Sequence, residues 1–269
     1  MKLLEISEVQ TLLLNLMKDL HMFLEQNQLQ YYLLGGSALG AVRHGGFIPW
    51  DDDIDIGMKR DDYEKFLAIA EKFNPTYAVI NFEKTPYCDF GLTRIYIPNT
   101  YIKIASTENT KLDKRLYLDI FPLDNVPEDK NELAEYEKKV VGFKKTLLLL
   151  DVRVYGKSKS KVLVKKAISA GLAPFRKNIL CSFDKTLKKY WHSQTKYICS
   201  LCSQYSFKKQ VMLKTVYGTP VLHRFEDTEL YIPEQVDTYL TTLFGADYME
   251  LPPVEKRRRS LEIYSMDKE

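Results

Sequence analysis

The feature that most constrains this chain is the run Trp50-Asp51-Asp52-Asp53-Ile54-Asp55-Ile56-Gly57, in which acids and isoleucines alternate. Residues two apart on a strand project from the same face, so Ile54 and Ile56 must enter a core while Asp53 and Asp55 stand together on the other side. Such a run needs a sheet with one packed face and one face that presents paired carboxylates. Oxygen ligands of this kind suit Mg²⁺ or Mn²⁺, which usually bring substrate phosphates with them. Upstream lies Gly35-Gly36-Ser37-Ala38-Leu39-Gly40. Gly36 permits close approach of the backbone to a phosphate, and Ser37 offers a hydroxyl and a helix-start N–H. A glycine-serine turn followed by a paired-aspartate strand reads as a phosphoryl-transfer site. Leu118-Asp119-Ile120-Phe121 is a second apolar strand bearing one acid. Beside the first strand, Asp119 would share the metal and either lower the pKa of an incoming hydroxyl or accept its proton.

Other readings of these residues fit less well. Asp51, Asp53 and Asp55 alternate as in a calcium loop, but Ile56 takes the position that needs glycine, and Pro49-Trp50 denies the loop a preceding helix. A solvated acidic turn accounts for Asp51-Asp52-Asp53 alone, not for the interleaved isoleucines next to Gly35-Gly36-Ser37. Asp124, just before Asn125, reads as a turn residue. Cys199-x-x-Cys202 with Cys181 and His192 lacks a second such pair, and the segment reads helical, so buried thiols are expected rather than zinc ligands.

The surrounding pattern is α+β: a small mixed sheet flanked by helices, then a mainly helical, basic region. Ser7 and Gln10 resemble a capping box ahead of Val9, Leu12, Leu13, Leu16, Leu20 and Phe23, which predicts a helix ending near Asn27. Strands are expected at Tyr31–Leu34, Asp53–Gly57, Tyr77–Phe82, Cys88–Ile97, Thr100–Ala105 and Leu116–Phe121. Helices are expected at Ser37–His44, Asp61–Phe73, through most of Asp129–Tyr205, and at Pro233–Phe244. This divides one domain into a catalytic core (1–128), a helical region (129–215) and a C-terminal segment packing back on the core (216–269).

Composition narrows the function classes. With 45% hydrophobic and 28% charged residues the chain is globular rather than disordered. A net charge of +3 does not call for nucleic acid, and no nucleic-acid module is present. Glu5 and Glu8 interrupt the N-terminal apolar stretch, and no run approaches the roughly 18–20 apolar residues of a membrane span. A cytoplasmic protein is expected. From Lys157 to Lys189, ten basic residues face one acid, Asp184. That run is either a solvated helical face or a peripheral contact with anionic lipid at the inner face of the plasma membrane.

From Gly36 to Ile56, the stretch Gly36-Ser37-Ala38-Leu39-Gly40-Ala41-Val42-Arg43-His44-Gly45-Gly46-Phe47-Ile48-Pro49-Trp50-Asp51-Asp52-Asp53-Ile54-Asp55-Ile56 resembles the signature of the LicD family. Leu118 to Asp124, and Tyr248-Met249 with Leu251-Pro252-Pro253-Val254-Glu255-Lys256-Arg257, continue the resemblance. Bacterial members transfer phosphocholine from CDP-choline to glycans, and fukutin and fukutin-related protein, which use CDP-ribitol, share the domain. The resemblance implies a nucleotidyltransferase-like fold and a CDP-alcohol donor, with CDP-choline favoured. It also implies a glycan acceptor, for which teichoic acid, capsule and lipopolysaccharide sugars are all compatible, and a Mg²⁺ (or Mn²⁺) cofactor. By position it makes Asp53, Asp55 and Asp119 metal ligands, with Asp119 also the base. Gly36 and Ser37 would contact donor phosphate, Arg43 and His44 would line the site, and Arg94 would pair with a phosphate. A choline cation would need aromatic faces, for which Trp50 is a candidate and Tyr96 or Tyr101 weaker ones. The chain departs from the family where relatives usually carry a histidine after the Pro-Pro-x-x-Lys-Arg segment. Here it reads Arg257-Arg258-Arg259-Ser260.

Overall fold

The computed structural model describes residues 1–87, 91–103, 112–150, 159–259 and 261–266, with the backbone alone at 159–162. After a short strand β1 (Lys2–Leu3), helix α1 (Ile6–Gln26) buries Val9, Leu13, Leu16, Met17, Leu20 and Leu24 as one stripe against the core. Its cap lies two residues earlier than the expected Ser7 box. The Glu5 backbone N–H donates to the Glu8 carboxylate at 2.8 Å. Gln10 is drawn away by tertiary structure, its amide donating to the carbonyls of Ile48 (3.2 Å) and Asp51 (3.0 Å). Helix α1 thereby holds the acidic segment from behind.

Next come β2 (Tyr32–Leu33), α2 (Gly35–His44), β3 (Asp55–Lys59) and α3 (Arg60–Ile69). Strands β4 (Ala78–Ile80), β5 (Thr93–Tyr96), β6 (Thr100–Lys103) and β7 (Tyr117–Val126) follow. The main sheet runs β2-β3-β7-β5-β4. Only β3 and β7 are parallel along this path. A parallel pair needs a long crossover, and the chain from α3 through β6 provides it. Expected strand ends at 88–90 and 104–105 lie outside the described residues.

Two expectations need correction. The region from Asp129 to Tyr205 is helical only in part, as α4 (Lys130–Leu150), α5 (Lys159–Leu172) and α6 (Arg176–Leu187). Tyr197–Cys199 then forms β8, which pairs with the second half of β7 and with β9 (Met212–Leu213). A three-residue apolar run has too little periodicity to separate strand from helix, and the open edge of β7 decides it. Asp124 is likewise not in a turn but on β7, fully buried. Arg60 donates to both of its carboxylate oxygens at 2.7 Å. Burial opposes the charge on Arg60, but Asp124 outweighs it and raises the guanidinium pKa. A fixed pair of donors in the core overrides the turn preference of an aspartate-asparagine step.

Short helices α7 (Phe207–Gln210) and α8 (Lys214–Tyr217) lead to the hairpin β10 (Val221–Phe225)–β11 (Thr228–Ile232) and to α9 (Val236–Phe244). The last strand, β12 (Glu262–Ser265), lies between β1 and β6 in a three-stranded sheet. Among the described residues no helix is long and apolar enough to cross a membrane.

Candidate active site

Register assembles the site. The parallel pairing of β3 with β7 sets Asp55 opposite Asp119, and the antiparallel pairing of β5 with β7 sets Arg94 opposite the same Asp119. Side chains opposite one another on neighbouring strands share a face, so three chemical groups stand in a row across three strands. Asp53 lies just ahead of β3, where the Asp119 N–H already bonds to the Ile54 carbonyl at 3.1 Å. Asp53, Asp55, Arg94 and Asp119 line one cavity of about 280 Å³, together with the aromatic residues Tyr117, Phe121 and Tyr205. Ile54 and Ile56 are fully buried on the core side, as the alternation requires.

Arg94 donates from Nε to Asp119 Oδ1 at 2.7 Å, and its guanidinium carbon lies 3.6 Å from the centre of the Tyr117 ring. The acids beside this pair crowd one another. Burial first, then the carboxylates of Asp51, Asp52 and Asp119, hold Asp53 well above the usual carboxylate range. Burial, Asp53, Asp119 and Asp51 do the same to Asp55, opposed by Arg94. Asp51 is pushed up to about 6 by burial and by Asp52. Hard oxygen donors that repel one another fit a divalent cation, which would let all of them ionise.

These shifts set a pH dependence. A carboxyl whose pKa is raised on folding binds more protons in the folded state than in the unfolded one, so stability falls as pH climbs from the unfolded value through the folded one. The window opens near 3.8 and extends past about 6. The Tm of chelator-treated protein is therefore expected to fall between about pH 4 and 8, with a shallower fall in Asp53→Asn. Calorimetry across that range checks it, and equal slopes in the two proteins would remove Asp53 as a source.

The glycine-serine turn is built into the start of α2. Gly35 takes a left-handed φ of +50°, which a side chain resists, and its N–H donates to the Tyr239 hydroxyl at 2.9 Å. A Cβ on Gly36 would lie 2.8 Å from Asp51 Oδ2, so this glycine brings the helix start against the acidic segment. Ser37 is buried, and its hydroxyl oxygen accepts the Asp55 N–H at 2.9 Å. Turn and carboxylate strand are thus one rigid unit.

Arg43, His44 and Trp50 form a second group, tied to the C-terminal segment rather than lining the cavity. Arg43 Nη1 donates to the carbonyls of Tyr248 (2.9 Å) and Glu250 (3.0 Å), and its Nε to His44 Nε2 (3.0 Å). Burial and the Arg43 charge lower the His44 pKa, as an accepting imidazole requires. Trp50 meets the His44 ring edge-on and carries Arg257 5.7 Å from its ring centre. Asp52 joins the same seam, accepting the Leu261 N–H at 2.8 Å. Tyr96 is buried and meets Tyr117 edge-on, and Tyr101 sits in the small sheet opposite Tyr264.

Sequence reasoning did not single out Tyr205, whose phenol is pushed up to about 12 by burial and by Asp55, Asp53 and Asp51. It lies beyond β8 on a loop that Lys144 of α4 braces through the Leu201 and Ser203 carbonyls. No local signal separates it from the other tyrosines. Asp51 was within reach, since it shares the alternate spacing of Asp53 and Asp55. Among the described residues, the three potential ligand groups that come within 4.8 Å of one another are Asp51, Asp52 and Asp53, and Cys199 and Cys202 are buried free thiols.

The chain is similar to known proteins. The family model described as "LicD/FKTN/FKRP, nucleotidyltransferase domain" matches residues 28–149, which hold α2, β3, β5 and β7. Lipopolysaccharide cholinephosphotransferase LicD of Haemophilus influenzae is 30% identical over 267 residues, covering 96% of each chain. An uncharacterised protein of Rickettsia typhi is 48% identical over 69 residues, 25% of this chain and 22% of its own. Human ribitol 5-phosphate transferase FKRP is 54% identical over 39 residues, 14% of this chain and 8% of its own. Fold and relatives together define a phosphotransferase built on an α+β, nucleotidyltransferase-like domain. The chain belongs to the LicD family.

Proposed function

We propose that this protein transfers phosphocholine from CDP-choline to a hydroxyl of a cell-surface glycan or its lipid-linked precursor, with Mg²⁺ or Mn²⁺ held by Asp53, Asp55 and Asp119. The observation that carries the reading is the row Asp55–Asp119–Arg94 across β3, β7 and β5, opening with Asp53 into one cavity. Near full-length similarity to a cholinephosphotransferase supports the choice of donor. When bound, the cation supplies charge neutralisation at phosphate oxygens and a lowered pKa for a coordinated hydroxyl.

The chain's own groups have separate tasks. The acceptor oxygen bonds to the phosphorus that bears choline, that phosphorus parts from the bridging oxygen, and CMP leaves. Asp119 takes the hydroxyl proton, and Arg94 holds its carboxylate in place for it. Arg94 also lies within the cavity, where a guanidinium can hold a phosphate oxygen. Gly36 and Ser37 present the start of α2 to donor phosphate. Arg43, His44 and Trp50 act at one remove, by fixing the C-terminal segment against α2. Phe121 and Tyr205 line the cavity beside the acids, and aromatic rings suit a quaternary ammonium.

A thermal-shift panel of CDP-choline, CDP-ribitol, CDP-glycerol and nucleoside triphosphates, with and without Mg²⁺, tests the donor. CDP-choline with Mg²⁺ is expected to raise Tm, by the equivalent of about 2.7 kcal/mol at a hundredfold excess over Kd. Asp53→Ala should abolish the rise. The same acids would serve nucleotidyl transfer from a triphosphate, and a response confined to triphosphates with release of pyrophosphate would establish that reading instead. Silence across the panel would overturn the donor assignment.

A further inference from the structure

Helix α5 is amphipathic the wrong way round for a core helix. Its fourteen residues include four lysines and no acid. From Leu163 onward it is exposed except at Ser169, which is buried, and Leu172, which is half-buried. Each residue advances about 100° around a helix, so Ser169 marks the side turned to the protein. Leu163, Ala167, Val164 and Ile168 then fall on the far side. Leu163 is 69% exposed, Val164 59%, Ile168 47%, and Phe175, in the turn that follows, 57%. Lys166 stands on one flank, and Lys165, about 40° from Ser169, lies toward the body of the protein, yet both are exposed.

A helix of this length that buries almost no side chain from Leu163 onward is marginal in water on propensity alone. The stripe therefore needs cover, and charge selects what covers it. Pairing two copies would bring two lysine-flanked stripes together, whereas an anionic surface answers both the lysines and the apolar residues. The basic excess from Lys157 to Lys189, with Asp184 the one acid, extends the same field.

We infer that α5 and the Phe175 turn form an interfacial anchor that lies on anionic lipid headgroups and inserts Leu163, Val164, Ile168 and Phe175 at the acyl boundary. Helix α5 packs on α4, and α4 braces the cavity loop through Lys144. Docking therefore holds the cavity near the bilayer surface. That this brings it to a lipid-linked acceptor rests on the proposed function; the docking itself does not.

Flotation of the full chain with vesicles of phosphatidylcholine alone, and of phosphatidylcholine mixed with phosphatidylglycerol, tests the anchor. Binding is expected to the mixed vesicles only, to weaken as salt rises, and to fall at least about tenfold in the double variant Lys165→Glu, Lys166→Glu. Leu163→Ser with Ile168→Ser should lose binding comparably. The Tm rise given by CDP-choline, read on the same preparations, should stay at the wild-type value in both variants. That separates loss of docking from misfolding, and from any failure of the donor assignment, which would appear in the wild type as well. Equal binding to both vesicle types, no binding by the wild type, or undiminished binding by the lysine variant would overturn the inference. So would a dimer that Leu163→Ser, Ile168→Ser dissociates while vesicles stay unbound.

Discussion

Alanine at Asp53 or at Asp55 is expected to lower turnover at least ~10²-fold while the folded structure persists. The asymmetry follows from what these carboxylates do in each state. In the ligand-free protein they repel Asp51 and Asp119 and are held well above the usual carboxylate range, so their removal relieves strain rather than creating it. In the proposed donor complex they would supply two of three carboxylate ligands, and Asp119, the remaining carboxylate on the cavity wall, could not replace both. Activity and stability should therefore move apart: turnover collapses, while the Tm of chelator-treated protein holds or rises. Steady-state rates beside calorimetry of each variant decide the matter. Undiminished turnover in either variant would end the metal assignment, and a Tm that drops with turnover would mark the residue as structural.

Arg60→Ala is expected to cost about 3–5 kcal/mol of stability, and Asp124→Ala a similar amount. The side chains are 4% and 1% exposed, and two 2.7 Å hydrogen bonds join them. Removing Arg60 leaves the Asp124 charge in the core without its partner, and removing Asp124 leaves the buried Arg60 with Glu64 alone, at 3.0 Å. The cost falls on the central strand, because Asp124 lies on β7, on which Asp119 also sits. Replacing both by apolar residues, as in Arg60→Met with Asp124→Leu, should cost far less than either alone, since no orphaned charge remains. Urea unfolding of the three variants reads this directly. A single-variant loss below about 1 kcal/mol would place the pair among those that contribute little.

Several parts of this architecture were legible in local pattern. The stripe from Val9 to Leu20 specifies α1, because helical spacing needs only near neighbours. Acid and isoleucine alternation from Asp53 to Ile56 specifies two faces from adjacent residues alone, although the strand itself begins only at Asp55. The cap of α1 was misplaced by two residues because Gln10, suited to a capping box, is taken up by carbonyls some forty positions away. The strand at Tyr197–Cys199 was missed because so short a run becomes a strand only when an edge such as that of β7 is present to receive it.

By itself the sequence determined the kind of chemistry: paired carboxylates on a strand, a glycine-serine turn, and a third acid on another apolar strand. Only the tertiary structure decided which groups meet. That Asp119 faces both Asp55 and Arg94 depends on two registers, one parallel and one antiparallel, between segments dozens of residues apart. That Asp124 is an ion-pair partner, that Arg43, His44 and Trp50 tie down the C-terminal segment, and that Tyr205 reaches the cavity depend on long-range packing in the same way. Periodicity is a property of neighbours along the chain and so can be read from it. Register is chosen by the free energy of the whole sheet and the core beneath it, to which no short stretch of sequence has access.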